Sequence, residues 1–319
     1  MNRSKTQTAK DLTTLEFDFV IVGAGSAGCV LANRLTACGR YNVALIEAGG
    51  EDSSPWIHLP AGYFRTMGNP AFDWCYQTQP DVGIDNRSIP WPRGKVLGGS
   101  SSINGLLYVR GQRQDFNNWY NLGSAGWGWD DVLPYFKKLE SWKGSNDIKD
   151  TEYRGFSGPL VVSEMRVKRN IVDAWIDAAV CSGYPRNEDY NGENQTGVGY
   201  FQQTADYGRR CSSAAAYLKP IRKRKNLKVF TNTKVKKIIL KEFKVIGISV
   251  QNKENKFIIS VKRELLLSAG AIGSPHLLMV SGIGAGKDLT KKGIPMIKDL
   301  PGVGKNLQDH LQARPVFKC

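Results

Sequence analysis

A chain that runs Phe19-Val20-Ile21-Val22-Gly23-Ala24-Gly25-Ser26-Ala27-Gly28, and closes its next apolar run at Glu47, has few folds open to it. The pattern reads as strand, glycine turn, helix, second strand and carboxylate. That layout holds the adenosine diphosphate half of a dinucleotide. Gly23 permits the tight turn, Gly25 lets backbone approach a pyrophosphate, and Gly28 lets the helix pack on the strand. The helix N-terminus offers free N–H groups and the positive end of its dipole to the phosphates. Phe17 to Val22 is a buried-strand run, and Ala27, Leu31, Leu35 and Cys38 predict one apolar helical stripe. Val43 to Ile46 predicts the second strand, and Glu47, 19 positions after Gly28, can accept both ribose hydroxyls. By itself the motif leaves FAD and NAD equally open.

The 319 residues can bury a large core, as two domains or one discontinuous one. The first sixteen residues are polar and lack the continuous apolar segment of a signal peptide, so they read as a loose tail. Phe19 to Ala32 is uncharged but too short and glycine-rich to span a bilayer. The cysteines at 29, 38, 75, 181, 211 and 319 show no CxxC and no paired spacing, so free thiols and no metal site are expected, with Cys29 and Cys38 as small core filler. Asn86-Arg87-Ser88 and Asn194-Gln195-Thr196 fit glycosylation acceptors, which carry no weight without secretion.

The net charge of +15 raises the question of an anionic partner. Lys219 to Arg263 carries 15 Lys or Arg against Glu242 and Glu254, a local balance of +13. The same segment alternates: Val235, Ile238, Leu240; Val245, Ile248, Val250; Phe257, Ile259, Val261. It predicts an antiparallel meander with one buried face and its lysines in water. An anionic membrane surface is the second reading and nucleic acid the third, because no aromatics interleave the basic run.

Two further stretches matter. Gly94-Lys95-Val96-Leu97-Gly98-Gly99-Ser100-Ser101-Ser102-Ile103-Asn104-Gly105 is a second glycine-rich loop, suited to an anionic ligand through N–H groups and hydroxyls. Leu265 to Leu267 predicts a buried strand leading into Ser268-Ala269-Gly270-Ala271-Ile272-Gly273, with a helix starting at Ser274-Pro275. Two such turns suit a long flavin dinucleotide better than a single nicotinamide half-site. Between them, Ile171, Ala174, Trp175, Ala178 and Cys181 predict the apolar face of an amphipathic helix ended by Gly183 and Pro185.

With these motifs in hand, the chain resembles the glucose-methanol-choline (GMC) oxidoreductases, closest in character to bacterial choline and alcohol dehydrogenases. Three stretches carry the resemblance: Val22 to Gly28 with Glu47-Ala48-Gly49-Gly50, Gly94 to Asn104, and Gly270 to Leu278 through Ser281-Gly282-Ile283-Gly284. Asp73-Trp74, Gly208 to Ser212 and Gly302 to His310 add to it.

The resemblance implies an α/β fold: a Rossmann-like, three-layer FAD-binding fold with an antiparallel β-meander and part of a substrate-binding domain. It implies a polar tail at 1–16, FAD-binding domain at 17–152 and 207–319, and a substrate-domain segment at 153–206. Gly23, Gly25, Ser26, Ala27 and Gly28 would line the pyrophosphate, and Glu47 would hold the ribose. Val96, Asn104, Gly105, Leu106 and Leu107 would lie along the ribityl chain and isoalloxazine. Val235 would meet the adenine through its backbone, and Ala269 and Gly270 would approach from the later turn. Ile103 stands where some members carry a flavin-linked His, so the resemblance implies dissociable FAD. It also implies oxidation of a primary alcohol, choline-like or aliphatic, to an aldehyde by hydride transfer to flavin N5, with electrons passing to a quinone-type acceptor or oxygen. The family's base is a His near the far C-terminus. His58, His276 and His310 all fall in N-terminal motifs and match no catalytic position, so no catalytic residue is assigned and a chain truncated before the catalytic pair is expected. The alternatives are a flavin-binding module without its own catalysis and another FAD-dependent reductase. The expected location is cytoplasmic, with peripheral contact at the inner membrane as a second option and no nucleic-acid partner.

Overall fold

The computed structural model describes residues 15–145, 152–253, 255–310, 312, 315, 316 and 318. The polar tail expected at 1–16 therefore lies outside the described residues up to 14, and β1 (Leu15–Val22) takes in its last two. After β1 come α1 (Ser26–Leu35) and β2 (Val43–Ile46). Farther on lie β3 (Leu227–Phe230), β4 (Thr233–Lys241), β5 (Lys244–Asn252), β6 (Asn255–Leu267) and α2 (Gly270–Val280). One six-stranded sheet takes the order β3-β2-β1-β6-β5-β4. The first four strands are parallel and the last two antiparallel, which gives a mixed α/β sheet.

The central strands are apolar throughout because both of their faces are covered. Ile21, Val43 and Leu45 point to one side, where they pack with Cys29 and Ala32 of α1 and with Tyr217 and Leu218. Val20, Val22, Ala44 and Ile46 point to the other, where they meet Ile238, Ile248, Val250 and Ile259 of the meander and Leu277 of α2. The meander thus forms the third layer. The expected antiparallel pairing holds, in a register that sets Val235 opposite Val250, Ile238 opposite Ile248, and Ile248 opposite Ile259. Its lysines, among them Lys234, Lys237, Lys244 and Lys256, are exposed.

Four local expectations are corrected. Leu265 to Leu267 are not a separate strand; they end the 13-residue β6 and are half-buried. That strand pairs antiparallel with β5 and parallel with β1, so a single element joins meander to parallel core. The following helix starts at Gly270, not Ser274, and Pro275 lies inside it. The Ser274 hydroxyl instead accepts the Ala269 N–H at 3.1 Å. On α1 the buried residues are Gly28, Cys29 and Ala32; Ala27 is exposed, Leu31 and Leu35 only flank the core, and Cys38 lies exposed beyond the end of the helix. Close packing explains this. A Cβ on Gly28 would lie 1.9 Å from the Gly23 carbonyl oxygen, so only the smallest side chains fit beneath the helix. The helix Asn170–Cys181 forms as expected but is turned over: Ile176 is buried, while Ile171 and Trp175 are 60% and 56% exposed.

A small sheet joins Glu140–Trp142, Leu160–Glu164 and Gln202–Gln203. Glu140, the first residue of this sheet, has its side chain fully buried between Arg110 and Arg154. Arg154 also pairs with Asp189 and covers the Trp142 ring at 4.3 Å. Nothing in the spacing of these residues marks them as partners. No described helix is long and apolar enough to cross a membrane.

Candidate functional site

The carboxyl ends of β1, β2 and β6 are where a parallel sheet offers a ligand crevice. Three loops meet there. The β1–α1 turn is anchored by the Gly23 N–H on the Ile46 carbonyl at 2.8 Å, and the β6–α2 turn by the Ser268 N–H on the Val22 carbonyl at 2.8 Å. The 94–105 loop is tied to the first of these through the Gly98 N–H on the Ala24 carbonyl at 2.8 Å, and to the segment after β2 through the Leu97 N–H on the Gly50 carbonyl at 3.0 Å. Segments far apart in the chain are therefore held backbone to backbone.

Glycine is required at the contact points. Gly23 has φ +96°, and a Cβ there would stand 2.5 Å from the Ser268 carbonyl oxygen. Gly99 has φ +56°, and a Cβ there would stand 2.7 Å from Gly25 Cα. Both positions combine left-handed backbone with contact too tight for any side chain.

Helix α1 begins at this junction with Gly25 as its N-cap, no side-chain cap and no acidic residue in its first turn. Ser26 and Ala27 have open surface. The first-turn N–H groups and the dipole end thus face outward without a capping side chain to neutralise them, an arrangement that suits a phosphate.

Glu47 is 6% exposed. Its Oε2 accepts the Ala24 N–H at 2.9 Å and its Oε1 accepts the Gly49 N–H at 2.8 Å. Burial raises its pKa above the ordinary carboxylate value; the N–H bonds from Gly49, Ala24 and Ala48 and the charge of Lys95 pull the other way. Each carboxylate oxygen keeps lone-pair capacity for another donor. Val235 sits close by on β4: the Thr233 N–H donates to the Glu47 carbonyl at 2.8 Å.

The other expected residues fall in order along the second loop. Val96 is fully buried and Leu106 is 1% exposed, whereas Asn104 is exposed and Leu107 is 41% exposed. Gly105, Ala269 and Gly270 have at least part of their surface open, and a Cβ on Gly105 or Gly270 would meet nothing within 4 Å. The Ser101 and Ser102 hydroxyls do not point to a ligand as expected. They donate to the Gly98 and Leu97 carbonyls at 2.6 and 2.7 Å; the Ser102 hydroxyl is buried and must be satisfied, that of Ser101 is partly buried, and the loop supplies both acceptors. The hydroxyls brace the loop, and so do the N–H groups of Gly94, Lys95, Leu97, Gly98, Gly99, Ile103 and Asn104, which all donate to acceptors within the protein; the exposed Asn104 side chain is left as its outward chemistry.

Two residues behind the loop entered the sequence reading only as part of the resemblance, with no role assigned to either. Asp73, 1% exposed, accepts the Arg93 and Cys75 N–H groups on one oxygen and the Gly68 N–H on the other, fixing the loop's start. Arg210, 4% exposed, bonds Ser101 and Asn104 near its end. A lone Asp or a doubled Arg is too common in loops for its spacing to reveal such a bracing role. No histidine belongs to the three loops; His58 is half-buried, and His276 and His310 are exposed.

The cradle fits a dinucleotide on the chemistry of its donors: an uncapped helix N-terminus, glycines where chain meets chain, and a carboxylate at the end of β2. Comparison with known proteins agrees. A family model described as GMC oxidoreductase matches residues 17–312. An oxygen-dependent choline dehydrogenase of Photobacterium profundum is 44% identical over 306 residues, 95% of this chain and 53% of that protein. One of Rhizobium johnstonii is 43% identical over 298 residues, 93% of this chain and 53% of that protein. Among solved structures, pyridoxine 4-oxidase from Mesorbium loti superposes with a TM-score of 0.84 at 36% identity, covering 89% of this chain and 55% of that one. An FAD-dependent oxidoreductase from Chaetomium thermophilum gives 0.83 at 31%, covering 90% and 51%. The chain spans about half the length of the curated relatives it matches.

Proposed function

Since the chain belongs to the GMC oxidoreductase family, whose members bind FAD, we propose that it forms the FAD-holding part of an enzyme that oxidises a primary alcohol to an aldehyde. The meeting of three glycine-bearing loops at the uncapped start of α1, beside buried Glu47, carries this reading.

Each residue has a role its surroundings support. The N–H groups of Gly25, Ser26, Ala27 and Gly28 hold the pyrophosphate, with Gly23 allowing the turn. Glu47 accepts the ribose hydroxyls. Val235 and its neighbours border the adenine end, and Ala269 and Gly270 close the second side. Val96, Asn104, Gly105, Leu106 and Leu107 run along the ribityl chain and ring. Bound FAD would supply hydride acceptance at its N5 atom. Ile103 is 2% exposed and has no nucleophile, so attachment is non-covalent.

The named relatives favour a choline-like substrate and oxygen to reoxidise the flavin; an aliphatic alcohol and a quinone-type acceptor are the second choices. A base for the hydroxyl proton must reach it within hydrogen-bond distance. None of the three histidines stands in the cofactor loops, so residues 1–319 alone hold flavin without turning over alcohol. A cytoplasmic setting, with the lysine face of the meander free to meet an anionic membrane, completes the reading.

The test is to purify residues 1–319, titrate them with FAD and then denature them. Flavin that binds in a 1:1 ratio and leaves on denaturation is expected. Absence of binding overturns the reading, flavin retained after denaturation overturns the non-covalent assignment, and choline-dependent dye reduction overturns the missing base.

A further inference from the structure

Arg210 is buried in a setting unlike that of the other buried arginines. Arg110 and Arg154 face Glu140. Arg210 instead donates from Nε to the Ile57 carbonyl at 2.7 Å, from Nη1 to the Ser101 carbonyl at 3.1 Å and to Asn104 Oδ1 at 2.7 Å, and from Nη2 to the Asn104 carbonyl at 2.8 Å. All four acceptors are neutral. Burial pulls its pKa down to about 10, so it remains a cation at neutral pH. Keeping a guanidinium charged among neutral acceptors is costly, and what is gained is a donor fork that locks residues 101–104 and ties them to Ile57.

The fork decides which way Asn104 faces. Guanidinium N–H groups can only donate, and so can the Leu106 N–H, which reaches the same Asn104 atom at 3.1 Å. That atom must be the carboxamide oxygen. The NH2 end then lies on the opposite side of an exposed residue. Leu106 meanwhile sits at φ +65°, a conformation costly for leucine, and its carbonyl is held by the Thr204 N–H at 2.9 Å. The turn that exposes Leu107 is thus fixed through the same carboxamide.

We propose that Arg210 is a positioning residue: by holding Asn104 Oδ1 inward, it presents the Asn104 NH2 group as a hydrogen-bond donor to the bound dinucleotide. The inference rests on the FAD reading above. A flavin offers carbonyl oxygens and ring nitrogens as acceptors, and an NH2 donor of fixed direction complements them.

The test compares FAD affinity, measured by quenching of flavin fluorescence, across residues 1–319 as wild type, Arg210→Met, Arg210→Lys, Asn104→Ala, Asn104→Asp and the Arg210→Met/Asn104→Ala double variant, with a thermal melt of each. Asn104→Asp keeps an acceptor for Arg210, removes the NH2 donor and adds a negative charge that pairs with the guanidinium, while Asn104→Ala removes the donor without adding charge. The melting temperature of Asn104→Asp should equal or exceed that of wild type while affinity falls about tenfold, the loss of one good hydrogen bond. Arg210→Met and Asn104→Ala should lose about as much, the double variant no more than the worse single, and Arg210→Lys should recover part. Should Arg210→Met fail to fold, Asn104→Asp and Asn104→Ala decide together. Wild-type affinity in Asn104→Asp, or additive losses in the double variant, overturns the proposal. Wild type that takes up no FAD overturns the FAD reading itself, and the proposal with it.

Discussion

Glu47 accepts the Ala24 N–H at 2.9 Å, so the carboxylate ending β2 is bonded into the glycine turn ending β1. The same group that would hold a ribose also sets the shape of the turn that would hold its phosphates. Ligand and loop therefore share one carboxylate.

The first prediction follows from that sharing. Burial raises the folded pKa of Glu47 above its unfolded value. The folded chain keeps this proton to higher pH than the unfolded chain, so this group's contribution to stability falls as pH rises between the two values. Ribose hydroxyls donate to the ionised form, so FAD affinity should fall as pH drops through the folded pKa. Glu47→Gln should bind FAD about tenfold more weakly and lose this pH dependence, because one ribose acceptor becomes a donor. Titrations across the acid-to-neutral range check it; parallel pH profiles for the two proteins would refute the assignment.

Gly99 tests the close approach of the loops. Gly99→Ala must place a Cβ 2.7 Å from Gly25 Cα at φ +56°. It should cost about 1–3 kcal/mol in urea unfolding and weaken FAD binding as the loops part. Gly302→Ala, where a Cβ meets nothing within 4 Å, is the control and should stay within about 0.5 kcal/mol. Equal effects would mean the contact has no energetic weight.

The fold was largely legible in the sequence because its core motif is local. Gly23 to Gly28, Val43 to Glu47 and the alternation of β4 to β6 each lie within a short window. The misread helix faces have a shared cause. Periodicity tells which side of a helix is apolar, not which side is covered. On α1 the covered side had to be small, and on Asn170–Cys181 the more apolar stripe lies outward. Arg210 and Asn104 lie 106 positions apart, and nothing local in either predicts their bond.

Thiol chemistry should separate two cysteines expected to be alike. Burial pushes Cys29 up to about 12, and it is fully buried. Cys38 is exposed, and bonds from Arg40 lower its pKa. A disulfide reagent at mildly alkaline pH should modify Cys38 promptly and Cys29 only after denaturation, since the thiolate is the reactive form. Peptide mapping of the labelled protein reads this directly, and early label on Cys29 would mean that α1 opens in the native state.

The last prediction concerns Glu140. It is the carboxylate shared by Arg110 and Arg154, all three nearly inaccessible to water. Glu140→Gln leaves two buried guanidinium groups with only the Asp189 carboxylate between them, and breaking a buried pair in this way costs about 3–5 kcal/mol. Glu51→Gln breaks the exposed pair with Arg222 and should cost no more than about 0.5 kcal/mol. Urea unfolding of both distinguishes charge pairing from mere packing, since a neutral isostere changes no volume. The effect should also reach the cofactor. Arg110 contacts the Tyr108 hydroxyl, and the Tyr108 N–H on the Gln202 carbonyl anchors the chain immediately after Leu107. Glu140→Gln should therefore weaken FAD binding although Glu140 is no part of the cradle, and unchanged affinity in a destabilised but folded variant would show that the ion cluster and the cofactor loop are independent.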